Sequence, residues 1–429
     1  MSIIANNPSR KTWLDIPIDT DFPIQNIPFG VFLTRDDIIT IGTRIGDFAI
    51  DLGALHQLGY FEDIPLTEDI FLQDSLNDFI SDGKKTWRLV RNRIAEIFDE
   101  SNETLKNNQA HRNVVLFTLD EIEMQTPVQI GDYTEFFASR EHATNLGKIL
   151  REEGTPLNDN WIYMPTAYHG RSSSIVPSGI PVHRPKGQIL PEGEKTPIFD
   201  ASKEVDFETQ MAFITTDANL LGEPIPVEEA EDYIFGMVMF NDWSARDIQK
   251  WEYQPFGPFL GKNFASSVSP WIVTLDALEP FRTSGPKPEK EVMSYLKYSE
   301  NKSFDINLEI RLKTESGSEN FLSKTNFKDL YWNMSQLLAH HTSNGCPVNS
   351  GDMMATGSIS GSKKENYGSM LELSWNGTDP VKLEDGSTRK FVEDNDTIII
   401  KGFCKNENIR LGFGEINTKL LPVFQTKKK

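Results

Sequence analysis

Residues 241–264 read NDWSARDIQKWEYQPFGPFLGKNF, directly after the apolar run YIFGMVMF at 233–240. Asp242, Arg246, Gln249 and Tyr253 fall at offsets of 0, 4, 7 and 11. On a helix those offsets form one stripe. A stripe that faces a core should be apolar, and this one is polar throughout. Taken alone, it reads as a solvated helix face with Asp242 pairing Arg246 at i,i+4. The segment then enters the Gly-rich turn GPFLGK, which brings Lys262 close in sequence to the same polar set. A binding face is the competing reading, and the remainder of the chain decides between them.

The chain has 429 residues, enough for two or three domains with cores of their own. Hydrophobic residues at 38% and aromatics at 10% fit an ordinary globular protein rather than a disordered one. The formal net charge of −20 argues against nucleic acid and against an anionic membrane surface as partners. An anionic substrate then requires cations gathered locally. The opening stretch MSIIANNPSRKTWLDIP lacks a long apolar segment and does not read as a secretory signal. No apolar run approaches spanning length. Cys346 and Cys404 stand in unrelated contexts without a C-x-x-C, so a thiolate zinc site or disulfide framework is not expected and a cytoplasmic, reducing location is.

Residues 31–52, VFLTRDDIITIGTRIGDFAIDL, alternate short β-like runs with Gly and Asp turns. Leu76, Phe79, Ile80, Trp87, Val90, Ile94 and Ile97 then follow a helical period. A small β-rich unit with helices fills residues 1–125, and the second domain runs over 126–429. That second part is rich in short strands between Gly and Pro turns, with little sign of alternating βαβ units. The fold class is therefore mainly β with some helix (α+β).

Within DFETQ (206–210), strand alternation puts Asp206, Glu208 and Gln210 on one face. That face is either a solvent-facing edge or a pair of oxygen donors, Glu208 and Gln210, for a hard cation such as Mg²⁺ or Ca²⁺. His142 and His169 lie in surroundings typical of loop histidines, and the adjacent His340 and His341 point apart on most elements. The stretch TGSISGS (356–362) has Ile359 where a nucleophile elbow needs serine, which excludes a serine hydrolase.

Several longer blocks together carry a resemblance. They are DFPIQNIPFGVF (21–32), IGDYTEFFASREHATNLG (130–147), YHGRSSSIVPSG (168–179), FGMVMFNDWSARDIQKWEYQPFGPFLGKNF (235–264), FKDLYWNM (327–334), GSISGS (357–362), YGSMLELSW (367–375) and TRKF (388–391). The chain resembles the fumarylacetoacetate hydrolase family. The resemblance implies an N-terminal SH3-like β-barrel domain, a larger mixed β-roll catalytic domain, a homodimer and a divalent cation, Mg²⁺ or Ca²⁺. It implies hydrolysis of the carbon–carbon bond of a dianionic β-diketone, 4-fumarylacetoacetate, to fumarate and acetoacetate at the end of tyrosine and phenylalanine catabolism. A related acylpyruvate or β-diketone hydrolase, and a non-catalytic paralogue, are the alternatives.

By the same resemblance, His142 matches the general base and Glu372 the acid that orients it. Arg246, Gln249 and Lys262 match groups that bind substrate and oxyanion, and Arg151, Tyr168, Tyr253, Phe137 and Ser358 match substrate contacts. Asp242 and Glu208 match metal ligands, with Glu135, Gln210, Lys262 and Ser266 completing the metal surroundings. Five positions depart from the family pattern. Glu135 stands for an aspartate, Gln210 for a glutamate, Phe137 for a tyrosine, and Ser266 and Ser358 for threonines.

Overall fold

The run at 233–240 shows no alternation because its strand is covered on both faces. A computed structural model, which describes residues 2–150, 154–217 and 219–425, places all of it after Tyr233 in the strand Ile234–Asp242, buried along its whole length. It pairs antiparallel with Thr209–Thr215, which is also buried throughout, with Thr209 opposite Asn241 and Gln210 opposite Phe240. These two strands are central in an eight-stranded mixed sheet. Its order is Ala167–His169, Tyr133–Phe136, Met353–Ala355, Thr209–Thr215, Ile234–Asp242, Ser266–Val268, Ile175–Pro177, with Val273–Thr274 paired to Ile234–Asp242 off that path. Tyr133–Phe136 runs parallel to Met353–Ala355, and Ser266–Val268 runs parallel to Ile175–Pro177.

Successive side chains on the central strands serve different cores. Met211, Phe213, Met237 and Met239 join a cluster with Leu308, Ile310 and Ile400 of a second, five-stranded sheet. That sheet is built from Glu319–Asn326, Asn307–Lys313, Thr397–Lys405, Arg410–Leu421 and Val182–His183. Ala212, Ile214, Val238 and Phe240 point the other way, into the N-terminal unit.

The N-terminal unit is a curled antiparallel sheet in the order Leu116–Thr118, Phe48–Asp51, Ile39–Ile45, Phe29–Thr34, Ile122–Met124. The helical period beginning at Leu76 holds, but as two helices, Asn77–Ser81 and Gly83–Ile97. The break falls where Gly83 takes φ +80, a left-handed conformation that a side chain would resist. The class expected from the sequence, α+β with a small β-unit ahead of larger mixed sheets, is the one observed. Among the described residues, no helix is long and apolar enough to cross a membrane.

The stripe expected along residues 242–253 is not one helix. Asp242 closes a strand, held in register by Ser266 opposite it. Ser244–Ala245 then pairs with Val205–Asp206, and the helix runs only from Arg246 to Glu252, with Tyr253 as its C-cap. Ladder hydrogen bonds that continue to the end of the strand outweigh the helical spacing. Asp242 accordingly bonds Lys262 and Ser266, and the expected i,i+4 pairing with Arg246 does not form.

The N-terminal unit is fastened to the large sheet by aromatic packing. Phe235 lies 4.9 Å from Trp87, 5.6 Å from Phe29 and 6.0 Å from Phe79, centroid to centroid. Phe29 also exchanges both backbone hydrogen bonds with Ile272, at 2.9 and 2.7 Å. Phe235→Ala should cost about 3–5 kcal/mol, the usual range for emptying a buried aromatic position. The check is the chemical denaturation midpoint; an unchanged midpoint would show that this cluster contributes nothing to stability.

Candidate active site

The polar ends of the two central strands meet a third strand end. Glu135 projects from Tyr133–Phe136, Glu208 precedes Thr209–Thr215, and Asp242 ends Ile234–Asp242. One carboxylate oxygen from each lies within 4.8 Å of the others, and all three residues are buried. The Lys262 ammonium sits among them, 2.6 Å from Asp242 Oδ2, 2.9 Å from Glu208 Oε2 and 3.8 Å from Glu135 Oε1. Tyr168 donates to Glu135 Oε2 at 2.9 Å, as does Tyr133 at 2.5 Å. Ser266 donates to Asp242 Oδ1 at 3.0 Å. The DFETQ face is thus no solvent edge: Asp206, Glu208 and Gln210 are all buried.

Burial and like charges act differently on these acids. Burial, with Asp242 and Glu208 nearby, pushes Glu135 well above the usual carboxylate range against the pull of Lys262. At Glu208 the burial penalty is outweighed by Lys262 and Arg246, and its carboxyl is held well below that range. Lys262 is itself pushed up, because Asp242, Glu135 and Glu208 together outweigh its desolvation.

Arg246 begins its helix and reaches back across the strand ends. Its guanidinium donates to Glu208 Oε1 at 2.6 Å, Asp206 Oδ2 at 2.9 Å and Gln249 Oε1 at 3.2 Å. Asp206 also accepts the backbone N–H of Met370 at 2.7 Å and of Leu371 at 3.2 Å. One buried carboxylate therefore ties Arg246 to the short helix Met370–Leu373, which carries Glu372. Sequence reasoning placed Asp206 on the correct face but gave it no role. Tyr133 was missed altogether, although strand alternation from Glu135 would have found it.

His142 lies on the helix Arg140–Leu150, not in a loop. Its Nδ1 is 2.7 Å from Glu372 Oε2, with both side chains buried. Glu372 accepts further bonds from Asn145, Ser360 and Ser369, each at 2.8 Å. Burial alone would raise the Glu372 carboxyl, but the His142 charge and these donors hold it below the ordinary value. The arrangement pins one nitrogen of the imidazole and leaves Nε2 for proton transfer. Phe137 packs edge-on against the His142 ring at 5.3 Å.

Ser358 is buried and its Oγ has no hydrogen-bond partner among the described residues. Tyr253 is half exposed, and no hydrogen bond or ion pair among the described residues joins it to the acidic cluster. Arg151 lies outside the described residues. Gln210 departs from the oxygen-donor role expected of it, since its amide nitrogen, not its oxygen, faces the carboxylates at 3.0 Å (Glu135 Oε1) and 3.1 Å (Glu208 Oε2). The physical reason is Gly357, whose N–H donates to Gln210 Oε1 at 3.1 Å and so fixes the direction of the amide.

The loop leading to Lys262 has an anchor of its own. Glu252 accepts the backbone N–H groups of Phe259, Leu260 and Gly261 at 2.7, 2.9 and 2.8 Å. Gly261 is required there, because a Cβ would lie 2.8 Å from that of Gln249.

Residues 133–420 match the family described as fumarylacetoacetate (FAA) hydrolase C-terminal, and residues 25–127 match fumarylacetoacetase N-terminal. The chain belongs to the fumarylacetoacetate hydrolase family. It is 46% identical to the fumarylacetoacetase of Homo sapiens over 413 residues, covering 96% of this chain and 99% of that one. Identity to the Dictyostelium discoideum fumarylacetoacetase is 45% over 418 residues, covering 96% and 98%. A solved fumarylacetoacetate hydrolase from Exiguobacterium antarcticum shares the fold with a TM-score of 0.51 at 16% identity, covering 92% of this chain and 99% of that one.

The depressed Glu372 carboxyl gives a pH dependence with a definite sign. Its contribution to stability is complete above the ordinary glutamate value of about 4.3 and is lost as pH falls through the lower folded value. Glu372→Gln should cost about 2 kcal/mol near neutrality, the scale of a hydrogen bond to a charged group. Melting temperatures measured from neutrality to well below pH 4 should converge for native and variant as pH passes the folded value; a gap that stays constant would place the carboxylate charge outside the stabilising interaction.

Proposed function

We propose that this chain hydrolyses the carbon–carbon bond of 4-fumarylacetoacetate, giving fumarate and acetoacetate. The observation that carries the proposal is the buried His142–Glu372 pair at 2.7 Å, in a chain whose full-length relatives are fumarylacetoacetases. A binding protein has no need of a carboxylate-oriented imidazole enclosed in this way. We assign His142 Nε2 as the base that takes a proton from water. Glu372 holds the ring in the required tautomer and stabilises the imidazolium that forms. The resulting hydroxide adds to the carbonyl carbon. Collapse of the adduct breaks the adjacent carbon–carbon bond, and the electron pair leaves on the acetoacetate fragment as an enolate, which then takes up a proton.

Two negative charges develop in that sequence, one on the oxyanion and one on the enolate. Arg246 and Lys262, with Gln249, are the donors assigned to them. The three carboxylates fit a hard divalent cation, since oxygen donors suit Mg²⁺ or Ca²⁺. Held by Glu135, Glu208 and Asp242, that cation would supply Lewis-acid polarisation of the diketone oxygens. Phe137, Tyr168, Tyr253, Ser358 and Arg151 are the assigned substrate contacts, and the Ser358 hydroxyl, without a partner among the described residues, supports its place among them. We divide the chain into domains at 125/126. The reading carries a homodimer in the cytoplasm; the free thiols of Cys346 and Cys404 fit a reducing compartment.

Purified protein should turn over 4-fumarylacetoacetate in preference to acylpyruvates, lose that activity on chelation and regain it with Mg²⁺ or Ca²⁺. Full activity after verified removal of the metal would eliminate the cation from the mechanism. His142→Ala should lower kcat by about 10²–10⁴-fold, the range for a lost general base. A variant altered only in KM would make His142 a substrate-binding group instead.

A further inference from the structure

Gln210 is held at both ends of its amide. Its oxygen accepts from Gly357 N–H at 3.1 Å, and its nitrogen donates to Glu135 Oε1 and Glu208 Oε2 at 3.0 and 3.1 Å. Turning the amide over would set its oxygen against two carboxylate oxygens and its nitrogen against a backbone donor. The contacts with Gly357 N–H and with the anionic Glu208, attractive as they stand, would both become repulsive. Gly357 has no room to follow such a turn. Its φ is +75, and a Cβ there would lie 2.3 Å from the Phe136 carbonyl oxygen, which shows how tightly its backbone is packed.

We infer that Gln210 acts as a rival of the cation and not as one of its ligands. The inference rests on the reading of Glu135, Glu208 and Asp242 as a cation site. In the cation-free protein, the amide nitrogen donates to both Glu135 and Glu208. It does so on Glu208 Oε2, the same oxygen that Lys262 approaches, and on Glu135 Oε1. The other oxygens, Glu135 Oε2 and Glu208 Oε1, are held by Tyr133 and Tyr168 and by Arg246, so a divalent ion that draws on the two facing the amide weakens both amide bonds. The family pattern has a carboxylate at this position; here an extra negative charge is replaced by a hydrogen-bond donor. Gln210 thereby sets how tightly the site holds its cation, through the side of the equilibrium that lacks it.

Gln210→Met tests the sign. Methionine matches the length of glutamine but neither donates to the carboxylates nor offers a carbonyl oxygen. The bond lost by Gly357 N–H is lost with and without the cation, so it cancels from the binding equilibrium. Titration calorimetry with Mg²⁺ and with Ca²⁺ should show the variant binding about tenfold more tightly than the native protein, the scale set by loosening one or two hydrogen bonds to charged groups. Weaker or unchanged binding in Gln210→Met overturns the inference. A second measurement needs only the native chain: exchange of the Gly357 amide proton should stay slow when Mg²⁺ is added, whereas an amide that turned to ligate the ion would release it to fast exchange. Native protein that binds neither ion overturns the cation reading itself, and this inference with it.

Discussion

Lys262 is the charge about which the site is arranged. Four carboxylates, Glu135, Asp206, Glu208 and Asp242, are buried on or beside strand ends. Removing that much charge from water is expensive unless opposite charge and hydrogen bonds compensate. Lys262 and Arg246 supply the opposite charge, and Tyr133, Tyr168, Gln210 and Ser266 supply neutral donors. The compensation is divided unevenly. Glu208 faces both cations and is strongly favoured as an anion, whereas Glu135 leans on tyrosines and the amide and is driven toward its neutral form.

That arrangement requires the strand ends to stay in register. The central pair is fixed by apolar packing on both faces, so a slip of one residue would exchange the two cores and turn the acids away from each other. The N-terminal unit, which supplies none of these acids, therefore contributes to the site by covering one face of the sheet that positions them. Asp206 extends the connection to the opposite wall, since the carboxylate that holds Arg246 also holds the start of the helix bearing Glu372.

Much of this was legible in the residues. The α+β class followed from short strands between Gly and Pro turns, and the shared face of Asp206, Glu208 and Gln210 followed from strand alternation. The helical stripe was misread because an i,i+4 spacing is compatible with a strand end followed by a helix. Only the partner strand, which pairs Ser266 with Asp242, separates the two cases. The direction of the Gln210 amide was out of reach for a similar reason. It is set by a backbone donor 147 residues away, and glutamine offers an oxygen and a nitrogen of nearly equal size. The role of Asp206 stayed hidden because two of its three hydrogen bonds come from backbone groups, which leave no trace in side-chain identity.

The Glu252 carboxylate, gripping three successive N–H groups, separates the loop before Lys262 into two mechanical parts. Residues 259–261 form a rigid base continuous with the helix that holds Arg246. Beyond the clamp, the tip projects Phe256 almost fully into solvent, together with exposed Tyr253. Along the chain, these three bonds stand between the tip and the ammonium. A surface feature can therefore change in shape and hydrophobicity while the buried charge beneath stays within hydrogen-bond reach of Asp242.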